Sequence, residues 1–262
     1  MSQKTSREIF TAPNVPLPEN FIPQLPDTFG TAGEIIHNAR NQIRVFDVGG
    51  QKVNVKKFCI PPIVNRVLYS WGWRIPKAKK TFLNAQEILK RGFQTPTPYG
   101  YILERDGWLL NVSYFVSEQV PNKKPIREAG FDKNLITALA HYTAKMHESG
   151  LMHKDFTPGN VLYSEENGKY EFCLVDINRF RCEKKPIALW LVVQNLMQPF
   201  YEDACIKFFV EEYAKVRGLS PKIYFPVWLM RRWRNFYDRT KRTLKKFPGV
   251  SLFLGKSLSK RP

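Results

Sequence analysis

Alternating apolar and polar positions follow one another along the first half of the chain. Three short runs lie at residues 34–37 (EIIH), 42–48 (QIRVFDV) and 52–58 (KVNVKKF), and the last two show the alternation. The glycine pair Gly49-Gly50 separates the last two runs, a pattern that is typical of a hairpin in an antiparallel sheet. Residues 99–104 and 109–120 predict further strands.

A three-to-four residue spacing of apolar positions replaces the alternation in two stretches. Residues 77–91 have this spacing and are followed by Gly92, which predicts a helix with a glycine stop. Residues 135–149 predict another helix, and the character beyond residue 120 is mostly helical. The order of strands, one helix, strands and then helices predicts an α+β fold with two lobes.

The first 32 residues differ from the rest because prolines recur through them. These prolines are Pro13, Pro16, Pro18, Pro23 and Pro26. Their spacing predicts an extended surface arm through which no helix runs. We therefore predict an arm at residues 1–32, an N-terminal lobe at 33–120 and a C-terminal lobe at 121–262, which ends in a basic, aromatic segment.

Composition limits the classes of protein that the chain can belong to. A hydrophobic content of 43% is enough for a packed core and excludes a wholly disordered chain. The longest apolar run, residues 187–193, is shorter than the roughly 20 residues of a membrane-spanning helix. The first 20 residues lack the apolar stretch of a signal peptide, so we expect a cytosolic protein.

Charge changes this picture, because 41 Lys and Arg residues face 23 Asp and Glu residues, a formal net charge of +18. Such an excess predicts an anionic partner. Nucleic acid, an anionic membrane surface and a polyanionic substrate all fit it.

The chemistry is concentrated in His153-Lys154-Asp155-Phe156-Thr157-Pro158-Gly159-Asn160 and in Asp176 at the end of the next hydrophobic strand. The pattern H-x-D-x-x-x-x-N followed by a strand and an Asp is typical of kinase-type phosphotransferases. In that chemistry Asp155 accepts the proton of the substrate hydroxyl, while Asn160 and Asp176 bind Mg²⁺. The alternative is that these residues only form turns and a strand end.

A lysine on an upstream strand should complete such a site. Residues 53–56 have the form V-x-[IV]-K, with Val53 and Val55 on one face of the strand and Lys56 on the other. We therefore predict that Lys56, rather than Lys57, contacts the phosphates of ATP.

Two further parts of a kinase site are altered or uncertain. No G-x-G-x-x-G precedes Lys56, and residues 37–41 (HNARN) stand where the phosphate-covering loop is expected. Arg40 and backbone amides there could bind phosphate instead. Glu87, the only acid in residues 77–91, is a doubtful partner for Lys56, and a solvated position fits it equally well.

Several stretches together resemble the lipopolysaccharide kinase family, the Kdo and heptose kinases of the inner core, and its Kdo-kinase-like members in particular. The stretches are GEIIHNARNQIRVFDVGGQKVNVKKF, KAKKTFLNAQEILKRGFQTPTPYGYI, HKDFTPGNVLY, and VDINRF followed by Asn195-Leu196. DINR, in place of the DFG of protein kinases, is the most discriminating of them. The resemblance implies a protein-kinase-like fold in which Lys56, Asp155, Asn160 and Asp176 keep their kinase roles.

The resulting interpretation is an ATP- and Mg²⁺-dependent kinase that phosphorylates a sugar hydroxyl of a lipopolysaccharide precursor. Ser117 to Val120 would present backbone groups to adenine, with Glu118 and Val120 among the nucleotide-binding residues. Such an enzyme would lie at the cytoplasmic face of the inner membrane. An atypical protein kinase and a kinase-like pseudoenzyme that acts as a basic scaffold are the alternatives.

The C-terminal segment explains part of the charge. Between Phe225 and Phe247 its cations are Arg231, Arg232, Arg234, Arg239, Lys241, Arg242, Lys245 and Lys246, with Asp238 as the only acid. Interspersed aromatic residues predict a helix that contacts an anionic membrane or a phosphorylated glycolipid. A merely solvated basic face is the alternative, and nucleic acid is the least favoured partner.

Overall fold

The computed structural model describes residues 5–244, and its N-terminal part is built on a six-stranded antiparallel sheet. The strands are β1 (Thr5–Thr11), β2 (Glu34–Asn38), β3 (Gln42–Val48), β4 (Gln51–Phe58), β5 (Pro98–Asp106) and β6 (Leu109–Glu118). Their order across the sheet is β1-β5-β6-β4-β3-β2. The hairpin at Gly49-Gly50 and the strands predicted after residue 98 are confirmed.

The N-terminal segment is not only an extended arm, and the expectation that no helix runs through it was wrong. Strand β1 pairs along its whole length with β5, and helix α1 (Phe21–Thr28) follows it. Pro23 lies in the first turn of α1, where a missing N–H costs little. Pro26 removes one hydrogen bond, but the helix buries Ile22 and Leu25 in the core. Burial of these side chains outweighs the lost bond.

Gly100 explains why β1 can lie so close to β5. A Cβ atom at this position would lie 2.3 Å from the carbonyl oxygen of Phe10 in β1. Any other residue would push the strands apart, so the glycine fixes the edge of the sheet.

The two faces of the sheet pack against different helices. One face buries Val53 and Val55 of β4 against α1. The other face buries Phe58 of β4 against helix α3 (Lys77–Lys90), and helix α2 (Ile63–Ser70) lies between β4 and α3 along the chain. The alternation predicted for β4 is therefore confirmed, with Val53 and Val55 on the face opposite Lys56 and Phe58.

The C-terminal part is mostly helical and has its own core. Its helices are α4 (Lys133–Glu148), α5 (Leu189–Leu196), α6 (Asp203–Val216) and α7 (Tyr224–Leu244). Its short strands are β7 (Lys124–Pro125), β8 (Leu151–His153), β9 (Val161–Glu166), β10 (Lys169–Leu174) and β11 (Phe180–Cys182). The helices predicted for residues 77–91 and 135–149 are confirmed as α3 and α4.

Helix α3 joins the two parts. Phe82 belongs to the core beneath the sheet, whereas Ala85 and Ile88 belong to the helical core. Asn84 of α3 also donates to the carbonyl of Ile177, at 2.7 Å. The division at residue 120 stays a prediction, and the part of the C-terminal lobe after residue 244 lies outside the described residues. Within residues 5–244 no helix is long and apolar enough to cross a membrane.

Candidate active site

A cavity of about 890 Å³ lies between the sheet and the helical part, with side chains from both in its wall. The sequence-predicted residues that line it are Lys56, Glu118, Val120, Asp155, Asn160 and Asp176. The fold thus brings together side chains from β4, the end of β6, the loop after β8 and the end of β10. Arg40 does not line the cavity; its place there is taken by His37 and Asn41.

Lys56 reaches the cavity from the middle of the sheet. It lies between Ile43 of β3 and Phe115 of β6 in the strand register. Its ammonium donates to Asp176 Oδ1 at 2.5 Å, across 120 positions of sequence. The Lys56 side chain is 13% exposed, so this ion pair is partly shielded from water. Lys57 points the other way and packs over Phe29.

Asp176 has the left-handed backbone conformation, with φ 56° and ψ 44°. Few residues other than glycine adopt it, and Asp and Asn are among those that tolerate it. Burial raises the pKa of its carboxyl, but the charge and hydrogen bond of Lys56 lower the pKa more, so that it lies below its usual value. Asn178 donates to the same oxygen at 2.8 Å. The Asp176 carboxyl is therefore ionised at neutral pH and could bind a cation.

The loop after β8 holds Asp155 and Asn160 in a fixed relation. The side-chain amide of Asn160 donates to the Asp155 carbonyl at 2.8 Å, and the Thr157 N–H donates to the same carbonyl at 2.8 Å. Since the Asn160 NH₂ group is used in this way, its Oδ1 is the atom that can ligate a cation. Asn160 also accepts from the Val175 N–H through its carbonyl, which ties the loop to Asp176.

His153 supports this loop from below and does not line the cavity. Its Nε2 donates to the Val175 carbonyl at 2.9 Å, and its Nδ1 accepts from the Asp155 N–H at 3.1 Å. Burial lowers the pKa of the imidazole below its usual value, which keeps the ring neutral and suits one donating and one accepting nitrogen. His153 is therefore a positioning residue for Asp155.

A second buried layer, which the sequence did not predict, holds His153 in turn. Asn195 of α5 donates to the His153 carbonyl at 2.7 Å and accepts from His147 Nε2 at 3.0 Å. His147 Nδ1 accepts from the Tyr213 hydroxyl at 3.0 Å. Burial lowers the pKa of His147 to about 4. Asn195 was part of the resemblance, but only the fold reveals that it connects α4, α5 and the catalytic loop.

The part of the cavity beside the end of β6 has an apolar wall that suits an adenine ring. Apolar residues from both parts line it: Ile43, Phe115, Leu162 and Val175. The Glu118 N–H donates to the Thr97 carbonyl at 2.9 Å, and the Glu118 carboxylate accepts from the Thr97 hydroxyl at 2.8 Å. These bonds fix the segment from Glu118 to Val120 as a rigid edge beside the apolar slot.

Lys77, which the sequence analysis did not single out, adds charge near Lys56. It stands in the first turn of α3, partly buried. Burial lowers its pKa, and the nearby charges of Arg40 and Lys56 lower it further. Arg40 itself is exposed in the turn between β2 and β3. The charges of Lys56 and Lys77 therefore both act on Asp176, and the phosphates of a nucleotide would supply the balancing charge.

Glu87 does not pair with Lys56. It accepts from Arg91, with 2.5 Å between Glu87 Oε1 and Arg91 Nη2. Arg91 also donates to the carbonyls of Ser149 and Glu183, which ties α3 to the helical part. The partner of Lys56 is Asp176, so α3 supplies no glutamate to the site.

Helix α7 closes the remaining end of the cavity with Arg231, Arg234, Asn235 and Asp238. Arg231 is not available to a membrane, contrary to the expectation for the basic segment. It pairs with Asp203 at 2.7 Å and donates to the carbonyls of Met197, Phe200 and Tyr201. Arg232 is exposed and packs over Trp228. The side chains of Arg242, Lys245 and Lys246 lie outside the described residues.

Part of the chain is similar to known proteins. Residues 62–198 match the model of the Lipopolysaccharide kinase (Kdo/WaaP) family. This match is just over half of the chain and spans α2 to the end of α5, including Asp155, Asn160 and Asp176. Lys56 lies ahead of it. No curated protein matches the chain.

Two solved structures are similar in fold. One is WaaP in complex with acyl carrier protein, which has 14% sequence identity and a TM-score of 0.59 and covers 88% of this chain and 99% of its own. The other is the Rio2 kinase-ADP/Mg²⁺-phosphoaspartate complex from Chaetomium thermophilum, with 18% identity, a TM-score of 0.49 and coverage of 73% and 61%. The first similarity supports a protein-kinase-like fold, and the family match decides the assignment: the chain belongs to the lipopolysaccharide kinase (Kdo/WaaP) family.

Proposed function

We propose that the protein transfers the γ-phosphoryl group of ATP to a sugar hydroxyl of the lipopolysaccharide inner core. Membership of the family indicates a phosphotransferase that acts on lipopolysaccharide. The observation that carries the proposal is the contact of Lys56 with Asp176 in the cavity that Asp155 and Asn160 also line. Phosphoryl transfer from a nucleotide needs an ammonium group, two carboxylates and an amide oxygen close together, and these four residues supply them.

In this proposal each side chain has one task. The segment from Glu118 to Val120 holds adenine through its backbone, with Ile43 and Leu162 on either side of the ring. Lys56 binds the phosphates. Lys77 adds a second positive charge nearby, and with it compensates for the missing glycine-rich loop.

Asp155 acts on the acceptor. It accepts the proton of the sugar hydroxyl as the hydroxyl oxygen attacks the γ-phosphorus, and the bond from that phosphorus to the bridging oxygen of ADP breaks. The phosphorylated sugar and ADP are the products. His153 and Asn195 keep the loop in place during this step, since they bind its backbone rather than its reacting groups.

The donor set fits Mg²⁺. Asp176 offers a carboxylate and Asn160 an amide oxygen, and Mg²⁺ prefers such oxygens together with water and phosphate. Among residues 5–244 no group of three or more His, Cys, Asp or Glu side chains could hold a metal by itself. A cation at this site would thus depend on the nucleotide for its other ligands, and it would neutralise charge that develops on the phosphates.

The acceptor end fits an anionic sugar. Arg127 and Arg234 line the cavity there, and Asn235 and Asp238 can bind hydroxyl groups. The carboxylate of Kdo or the phosphate of a phosphorylated heptose could form ion pairs with these arginines. A lipid-linked acceptor would bring the enzyme to the cytoplasmic face of the inner membrane, where a net charge of +18 favours peripheral binding.

The test is incubation of the purified protein with ATP labelled in the γ-phosphoryl group and the membrane glycolipid fraction of the native organism. We expect label in the sugar core, and at least about a hundredfold slower labelling when the Asp155→Asn variant is used. Label on protein instead would support an atypical protein kinase. Nucleotide binding without transfer to any acceptor would support a pseudoenzyme.

A further inference from the structure

Three exposed tryptophans meet on the surface of the sheet part, far along the chain from the catalytic loop. The ring centroids of Trp71 and Trp73 lie 5.3 Å apart, and those of Trp71 and Trp108 lie 6.0 Å apart with the rings nearly parallel. The three residues are 60%, 72% and 54% exposed. We call Trp71, Trp73 and Trp108 the tryptophan patch. Folding does not explain these exposed rings, because large aromatic side chains normally stabilise a fold by being buried.

Helix α2 continues the apolar surface away from the patch. None of its eight residues is fully buried, and Ile63 and Val64 are 61% and 67% exposed. Val64 precedes Trp71 by seven residues, which puts both on the same side of the helix. Ile60 and Ile75, just outside the two ends of this segment, are exposed as well. Exposed apolar side chains therefore lie in the first turn of α2 and next to both ends of the segment that carries Trp71 and Trp73.

Charge around the patch is positive. No acidic residue occurs between Asp47 and Glu87, and within this interval Arg66 on α2 and Arg74 flank the patch along the chain. Arg74 follows Trp73 directly and is exposed. Arg105 donates to the Trp108 carbonyl at 3.5 Å. Asp106 is the acid beside the patch, and Arg66 lies 3.9 Å from it.

We propose that the tryptophan patch and α2 form a docking surface for a bilayer that contains anionic lipids. Tryptophan rings are favoured at the level of the lipid headgroups, and aliphatic residues beside them can enter the acyl boundary. Cations without nearby unpaired acids match anionic headgroups. A nucleic acid would not use the exposed Ile and Val side chains. The surface is separate from α7, so this inference does not depend on the kinase reaction.

The experiment measures binding of the full chain to vesicles of phosphatidylcholine with phosphatidylglycerol, by co-sedimentation. The variant carries Trp71→Ala, Trp73→Ala and Trp108→Ala. Its matched control is Trp190→Ala, since Trp190 is 61% exposed at the start of α5, on the helical part. We expect the triple variant to lose about tenfold or more in vesicle affinity, and the control to stay within about twofold of wild type.

A second measurement covers the case in which the triple variant does not fold. Replacement of Trp190, Trp228 and Trp233 by Phe leaves fluorescence from the patch alone, and vesicles with brominated lipids should quench it. Three results would overturn the proposal: equal vesicle binding by the triple variant and wild type, patch fluorescence that brominated lipids do not quench, or no vesicle binding by wild type. A further outcome is that wild type does not bind vesicles but self-associates, and that the triple variant does not self-associate. That outcome would assign the patch to contacts between copies of the chain.

Discussion

The two ends of the cleft are built differently. At the nucleotide end, Lys56, Asp176 and Asn160 are held by hydrogen bonds to one another or to the backbone. At the acceptor end, α7 presents Arg234 and Asp238 from one long helix, and several of its neighbouring cations are exposed. The first end therefore suits a ligand whose chemistry is fixed, as that of the proposed nucleotide is. The acceptor end offers charge and hydroxyl-binding groups that a change of loop or helix residues could adapt to another sugar.

The largest expected effect is at Asp155, which lines the cavity. Asp155→Asn should lower turnover by a factor of about 10² to 10⁴, because the general base is lost, while nucleotide affinity should change little. Single-turnover kinetics and nucleotide titration measure the two quantities. Glu165→Gln on β9, exposed and outside the cavity, is the control. Turnover within a few-fold of wild type would show that Asp155 is not the catalytic base.

The buried layer beneath the nucleotide end makes the protein sensitive to acid. The pKa of His147 is about 4 in the folded chain and about 6.5 in an unfolded one, so the unfolded state binds more protons between these values. The contribution of neutral, buried His147 to the free energy of unfolding is complete above about pH 6.5 and is lost as pH falls toward 4. It amounts to about 3 kcal/mol of unfolding free energy at most.

Urea unfolding at a series of pH values measures this dependence, with His147→Gln as the comparison. The variant should show a flatter dependence between pH 4 and 6.5. Some dependence should remain, because burial also lowers the pKa of His153. Identical curves for the variant and wild type would assign the acid sensitivity to other groups.

At the nucleotide end, Asp176→Ala should weaken ATP binding in the presence of Mg²⁺ by about tenfold or more, because a carboxylate ligand is removed. ATP binding without Mg²⁺ should weaken much less. Calorimetric titration at several Mg²⁺ concentrations measures the difference. Asn178→Ala, which removes only the neighbouring amide, is the control. An unchanged Mg²⁺ dependence would move the cation site away from Asp176.

Two adjacent arginines of α7 should differ in what they affect: Arg231 the stability of the fold, and Arg232 the binding of anionic vesicles. Arg231→Gln should lower the free energy of unfolding by about 2 kcal/mol, since its charge-assisted bonds to Asp203 and three carbonyls are lost. Arg232→Gln should leave stability unchanged and weaken binding to anionic vesicles by about 1 kcal/mol. Urea unfolding and vesicle sedimentation measure the two effects. Equal stability losses would mean that α7 packs as a unit.

The sequence predicted the strands and helices well where local periodicity decides them, as in β4 and α3. The four residues that the kinase pattern singles out, Lys56, Asp155, Asn160 and Asp176, all line one cavity, and their roles stay predictions. The sequence-based prediction failed at the N-terminus, where Ile22 and Leu25 stabilise a helix despite Pro26. It could not reveal Lys77 or the layer of His147 and Asn195, since their roles arise from contacts between distant segments.

The proposed reaction of the cavity that contains Lys56, Asp155 and Asp176 is phosphorylation of the lipopolysaccharide core. Mass analysis of the core sugars tests it, after a short reaction of acceptor glycolipid with ATP and either wild type or Asp155→Asn. We expect a core heavier by one phosphoryl group with wild type and almost no change in mass with the variant. An unchanged core with wild type, under conditions in which it binds ATP, would show that the cavity does not phosphorylate the core.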